Sequence, residues 1–228
     1  MDQENKILNK PCYLEFWLIV ITGTLHVAVE LLWSGIKRGI SVVGLPECIY
    51  NLAAILVWAS YVIWRIIVTR GIARAWGFRR DNFLAALRPS VYFLILGTIA
   101  LSVYGGVMGQ WRLPATFWIV LLLYPLYGIV QQFALQILIT KNLRGVVKTL
   151  LIRVLLAASL FSAVHFPNYR LMLLTFLAGL MFTWIYNRHP NIWAVGISHG
   201  LLGAFAYYWV LGLDPGAEIV EGIRRFLF

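Results

Sequence analysis

Seven stretches of this chain are almost continuously apolar: 16–33, 49–68, 91–108, 115–139, 150–164, 171–186 and 192–213. A helix needs about 20 such residues to cross the hydrocarbon core of a bilayer, within a range of roughly 17–25. The first four runs and the last reach that length. The runs 150–164 and 171–186 are short and need extension or tilt to span. The runs are unbroken rather than alternating, which excludes the strands of a membrane barrel. The expected fold is an all-α, polytopic membrane helix bundle of about seven transmembrane helices, with residues 1–228 forming one integral membrane domain. Composition agrees. The chain is 61% hydrophobic and 12% charged, against roughly 25% charged in ordinary soluble domains, so neither a soluble globular fold nor a disordered chain fits.

The segment 1–10 holds Asp2 and Glu4 and precedes no small-residue cleavage site. It reads as a tail before the first span rather than a removable signal peptide. The formal charge of +10 would suggest nucleic acid in a soluble protein. Here the basic residues fall mainly between apolar runs, so the expected partners are membrane lipids, not nucleic acid. The basic stretch 70–80 could also hold anionic headgroups. Cys12 and Cys48 make neither a disulfide framework nor zinc spacing. They read as small apolar residues near helix ends.

Polar side chains inside spans are expensive and tend to face the protein interior. The candidates are Gln131, Gln132 and Gln136 late in the fourth run, His165 at the end of the fifth, and Ser198 and His199 in the seventh. His26 and Glu30 lie four apart in the first, on one helix face. Pro125 is expected to kink the fourth run and angle its glutamines inward. Gly105 with Gly109, and Gly196 with Gly200, have the four-residue spacing that lets helix backbones approach closely. The segment 196–200 also matches G-x-S-x-G letter by letter, but that motif has meaning on a strand–turn–helix elbow, not inside an apolar helix. No H-E-x-x-H occurs, so no metal site is expected. Two histidines on different helices could ligate haem. Apart from that alternative, no cofactor is expected.

The order of three segments carries a resemblance. Gln131-Gln132-Phe133-Ala134-Leu135-Gln136, then Phe161-Ser162-Ala163-Val164-His165, then His199-Gly200-Leu201-Leu202-Gly203 resemble the three motifs of the CPBP family, the type II CAAX prenyl protease and bacteriocin-processing group. The family pattern is E-E-x-x-x-R, F-x-x-x-H and H-x-x-x-N or D. The family-like core covers about 115–209, including Asn191-Ile192-Trp193 leading into the last histidine. The resemblance implies an intramembrane endopeptidase acting on a membrane-anchored or lipidated peptide or protein. It places the catalytic positions on Gln131, Gln132, His165 and His199, and substrate-binding positions on Gln136, Phe161 and Gly203. In the family, the first glutamate and the F-x-x-x-H histidine activate water, while the last histidine and Asn or Asp hold the oxyanion.

Three positions depart from the pattern. A glutamine amide cannot take a proton from water near neutral pH, so Gln131 could only orient a water, leaving His165 as the base. Glu30 or Glu15 of the first span could supply the missing carboxylate. Gly203 offers no side-chain donor, an absence worth about 2.7–4 kcal/mol of oxyanion stabilisation. A catalytically inactive relative that binds such substrates fits the same residues. So do glutamines that merely join helices, at about 0.6 kcal/mol per amide bond. Straight helices put Gln131 and His199 at similar depth, each about 12 Å from one membrane face at 1.5 Å per residue, with His165 nearer the other face.

Orientation follows the basic residues. The side holding the N-terminus receives thirteen Lys and Arg against six for the other, which makes the N-terminal side cytoplasmic. Single cysteines placed in the 70–88 loop should therefore resist an impermeant thiol reagent in intact cells and react after permeabilisation. Labelling in intact cells would reverse the orientation.

Overall fold

In lipid every backbone N–H and C=O must be satisfied within the segment, so an apolar run becomes a helix. The computed structural model describes residues 10–36 and 45–227. Lys6, Lys37 and Arg38 lie outside the described residues, as do the side chains of Cys48 and Arg225. Helix α1 is Tyr13–Ile36, α2 Leu45–Val68, α3 the short Ile72–Ala75, and α4 Phe83–Val107. Helix α5 is Ala115–Phe133 and continues as a π-helix over Ala134–Lys141. Then follow α6 Leu150–Ala163, α7 Tyr169–Arg188, α8 Ile192–Ala206 with a π-helical continuation Tyr207–Leu211, and α9 Pro215–Leu227.

Six segments among the described residues are long and apolar enough to cross a bilayer: Tyr13–Leu32, Ile49–Val68, Phe83–Val107, Ala115–Lys141, Tyr169–Arg188 and Ile192–Leu211. The 171–186 run reaches 20 residues by taking in Tyr169, Arg170, Asn187 and Arg188. The 150–164 run stays short, as the 14-residue α6. Large apolar side chains such as Leu14, Ile67, Leu96 and Leu122 remain exposed, as a lipid-facing surface requires. The chain is an integral, multi-pass membrane protein.

The chain forms two compact units, Met1–Phe78 with Leu135–Leu180 and Arg79–Ala134 with Met181–Phe228. In the first, α1 pairs with α2. Tyr50 Oη donates to the Thr22 carbonyl, and Trp58 Nε1 donates to Thr22 Oγ1 at 3.2 Å. Leu135, Ile139 and Leu143 form an apolar cluster with Ala157 and Phe161 of α6, and Phe16 and Ile19 of α1 pack on it. Gly179 of α7 lies against Ala158, where an added Cβ would sit 3.1 Å from Cα.

In the second unit, α8 packs against both α5 and α4. The α5–α8 crossing is made by glycine. A methyl at Gly200 would fall on the Tyr124 carbonyl oxygen and 2.6 Å from Pro125 Cα. One at Gly196 would fall 2.6 Å from Ile129 Cα, and one at Gly128 would strike Gly196 and Gly200 backbone atoms. The G-x-S-x-G letters are thus a packing stripe inside α8, with Ser198 buried. On α4, Gly105 meets Trp209 in the same way, but Gly109 does not pack. It has φ of +65°, and a Cβ there would meet nothing. Gly109 ends the helix instead of joining two.

Helix α5 continues through Pro125. The departure from α geometry comes after Gln131 and Gln132, in the π segment, where Thr140 Oγ1 donates to the Leu135 carbonyl five residues back at 2.7 Å. Such π insertions often occur at functional sites.

Gly200→Ala should destabilise the folded protein by about 1–3 kcal/mol or more, the usual range for overpacking, because the obstruction is backbone. Gly203→Ala should be tolerated, since its Cβ would meet only Tyr124 Cδ1 at 3.6 Å. Thermal unfolding of both variants in detergent checks this. Equal melting temperatures would contradict the glycine crossing.

Candidate functional site

The glycine crossing sets the register between α5 and α8. Gln131 lies three residues past Gly128, and His199 immediately precedes Gly200. The two side chains meet, with His199 Nε2 2.9 Å from Gln131 Oε1. An amide oxygen only accepts, so Nε2 carries the proton and donates. The expectation of similar depth for these residues holds. Tyr127, one turn earlier on α5, bears on the Gln131 amide through its phenol. Phe182 of α7 packs edge-on against the His199 ring, with centroids 5.4 Å apart. His199 is buried, Gln132 is fully buried and Gln131 half-buried. Gly203 lies one turn beyond His199.

The start of α8 is fixed by Asn191, which is fully buried. Its Oδ1 accepts from the Ala194 N–H at 3.0 Å, capping the helix, and its Nδ2 donates to the Arg79 carbonyl at 2.8 Å and to Asn82 Oδ1 at 2.9 Å. Asn82 Nδ2 donates in turn to the Pro190 carbonyl at 3.1 Å. This clasp sets where α8 begins, and so where His199 stands. An Asn just before an apolar helical run is a sequence-level cap signal; its two further partners are not legible there.

His165, Phe161 and Gln136 belong to the other unit. Phe161 and His165 are four apart at the end of α6, so the F-x-x-x-H spacing is one helical turn. Their rings pack edge-to-face with centroids 5.2 Å apart. His165 Nδ1 lies 2.8 Å from the Phe161 carbonyl, one of the last-turn carbonyls that lack an intrahelical partner. A carbonyl only accepts, so Nδ1 carries the proton and Nε2 is the basic nitrogen. Gln136 is fully buried in the π segment.

The two candidate carboxylates of the first span differ. Glu15 is buried and engaged. It accepts from Tyr61 Oη, from Lys141 Nζ at 3.1 Å and from Asn142 Nδ2 at 3.1 Å. Asn142 Oδ1 accepts in addition from the Cys12 N–H at 2.8 Å. Lys141, two residues past the apolar run 115–139, is therefore the buried counter-ion of Glu15. A buried pair of this kind loses about 3–5 kcal/mol when one partner is removed, because the other charge is stranded. Glu30 instead pairs with His26, Oε2 to Nε2 at 3.8 Å, and both side chains are part-exposed.

Among the described residues, no group of three or more His, Cys, Asp or Glu is placed to hold a metal ion. Lys141→Met alone should lower stability by about 3–5 kcal/mol, whereas Glu15→Gln with Lys141→Met should recover most of that loss. Chemical denaturation of the single and double variants measures it. A double variant no better than the single would show that the pair is not the source of the loss.

Residues 113–205 match the family model described as Type II CAAX prenyl endopeptidase Rce1-like. No curated protein and no solved structure matches the chain.

Proposed function

From a chain that carries an Rce1-like type II CAAX prenyl endopeptidase domain over residues 113–205, we propose an intramembrane endopeptidase whose substrate is a membrane-anchored, lipidated peptide or protein. The observation that carries the reading is the bond between His199 and Gln131. Two polar side chains at motif positions are held together by a backbone crossing with no room for a Cβ. Packing alone does not call for an imidazole bonded to an amide there.

The roles follow from donor and acceptor chemistry. His165 is the base, because its Nδ1–H is held by a carbonyl and its Nε2 can take the proton of water. Gln131 orients water or substrate without accepting a proton, and Gln132 is its buried polar neighbour. His199 presents Nε2–H. In the resting protein this donor is held by Gln131, and an oxyanion would receive it during reaction. The family pattern gives Gln136 and Phe161 of the first unit substrate-binding roles, and Gly203 of the second unit offers no side-chain donor. The N-terminus is assigned to the cytoplasmic side on the basic-residue asymmetry.

A second reading is favoured by the amides at 131 and 132 and the missing donor at 203. It is a relative that binds such a substrate without cutting it.

Cleavage of a prenylated peptide by the purified protein in lipid vesicles tests the proposal. The wild type should cleave slowly. His165→Ala and His199→Ala should abolish cleavage with folded protein retained. Gln131→Glu is nearly isosteric and restores a carboxylate, so it should raise kcat by a factor of about 10²–10⁴, the usual contribution of a positioned general base. Binding without cleavage by both wild type and Gln131→Glu would overturn the protease reading in favour of the second.

A further inference from the structure

A tyrosine hydroxyl in the middle of a membrane span is costly unless something takes its hydrogen bonds. Tyr127 is such a residue. In the span Ala115–Lys141 it lies roughly 18 Å from one end and roughly 21 Å from the other at 1.5 Å per residue. Tyrosines that anchor a helix in the bilayer sit at the membrane–water interfaces, where the hydroxyl reaches the headgroups. Tyr127 is too deep for that role, yet it is 54% exposed. Its phenol meets the Gln131 amide one turn further along α5.

The surroundings lie within the second unit. Tyr124, Tyr127 and Gln131 are spaced i, i+3 and i+7, one face of α5. Helices α5 and α8 run antiparallel, since Gly200 meets Tyr124 and Pro125 while Gly196 meets Ile129. The face therefore borders the α8 turn from His199 to Gly203. A Cβ on Gly203 would lie 3.6 Å from Tyr124 Cδ1, and the Tyr124 and Tyr127 ring centroids are 6.0 Å apart. Gln131 Oε1 already accepts from His199. The amide N–H is thus the end offered to Tyr127, and the phenol oxygen accepts it. A hydroxyl then keeps one hydrogen to donate. Among the described residues no protein acceptor takes it.

We propose that Tyr127 is a substrate-binding residue, whose O–H donates to a backbone carbonyl of the membrane-embedded peptide beside the group bound by His199. Its exposure toward the bilayer fits a lipid-anchored chain that reaches the site from the membrane. The donor it supplies is of the kind that Gly203 does not provide. The inference rests on the reading of this site as one that takes a lipidated peptide, cut or uncut.

The test measures binding of a fluorescent prenylated peptide to the full chain in lipid nanodiscs, with binding to empty nanodiscs subtracted. Tyr127→Phe keeps the ring and removes only the hydroxyl. It should weaken binding about two- to tenfold, the range for one neutral hydrogen bond. Tyr92→Phe removes a still more exposed hydroxyl from α4 and should leave binding unchanged. Adding the peptide should also shift the ¹³Cζ resonance of Tyr127 in the wild type, which reports the hydrogen bond of the hydroxyl. Tyr127→Leu assigns that resonance if Tyr127→Phe fails to fold. Equal affinity of wild type and Tyr127→Phe, an equal loss in Tyr92→Phe, or a ¹³Cζ resonance that ignores bound peptide overturns the inference and leaves the substrate reading in place. A wild type that binds no prenylated peptide overturns the substrate reading and the inference with it.

Discussion

The backbone contact between Gly128 on α5 and Gly196 and Gly200 on α8 is the interaction on which the candidate site depends. In a bilayer the hydrophobic effect does not drive one helix onto another, because lipid tails are as apolar as leucine. Close approach must come from packing and interhelical hydrogen bonds. Glycine removes the Cβ that would hold two helices apart. Here the Tyr124 carbonyl and Pro125 Cα occupy the place a side chain at Gly200 would need. Once the axes are that close, residues beside the crossing meet at hydrogen-bonding distance. His199 and Gln131 are those residues, and their bond follows from the register.

Several polar groups carried into the membrane-embedded region are satisfied in defined ways. His199 gives its Nε2–H to Gln131, and His165 gives its Nδ1–H to the carbonyl of the residue one turn back. Asn191 both caps α8 and ties it to the 79–82 segment. Glu15 is surrounded by three donors, one of them cationic. The two histidines thereby differ in chemistry. One is hydrogen-bonded through Nδ1 and the other through Nε2.

Much of this was legible in the sequence, and the boundary has a physical cause. Lipid imposes a length and composition rule on every span, so the apolar runs marked the helices. The run 150–164, marked as short, is the one that stays short, as α6. The glycine pair in the last span was also visible, since four-residue spacing is a property of one helix. Its counterpart Gly128 was not, because one glycine acquires meaning only from the helix opposite. The same applies to Glu15 and Lys141, 126 residues apart, whose pairing no local pattern announces. Gly105 and Gly109 share the spacing but not the role, since Gly109 adopts a left-handed conformation and terminates α4. Pro125 lies inside α5, and beyond it the span leaves α geometry in the π segment after Phe133, which the local sequence does not signal.

The donor direction of the His199–Gln131 bond is the most direct test of this account. Histidine ¹⁵N chemical shifts in the full chain distinguish a protonated ring nitrogen from a bare one. The account predicts that His199 is the Nε2–H tautomer in the wild type, and that Gln131→Leu, which removes the acceptor, shifts the Nε2 signal and admits the Nδ1–H form. A His199 held as the Nδ1–H tautomer in the wild type, or one whose signals do not respond to Gln131→Leu, would contradict it.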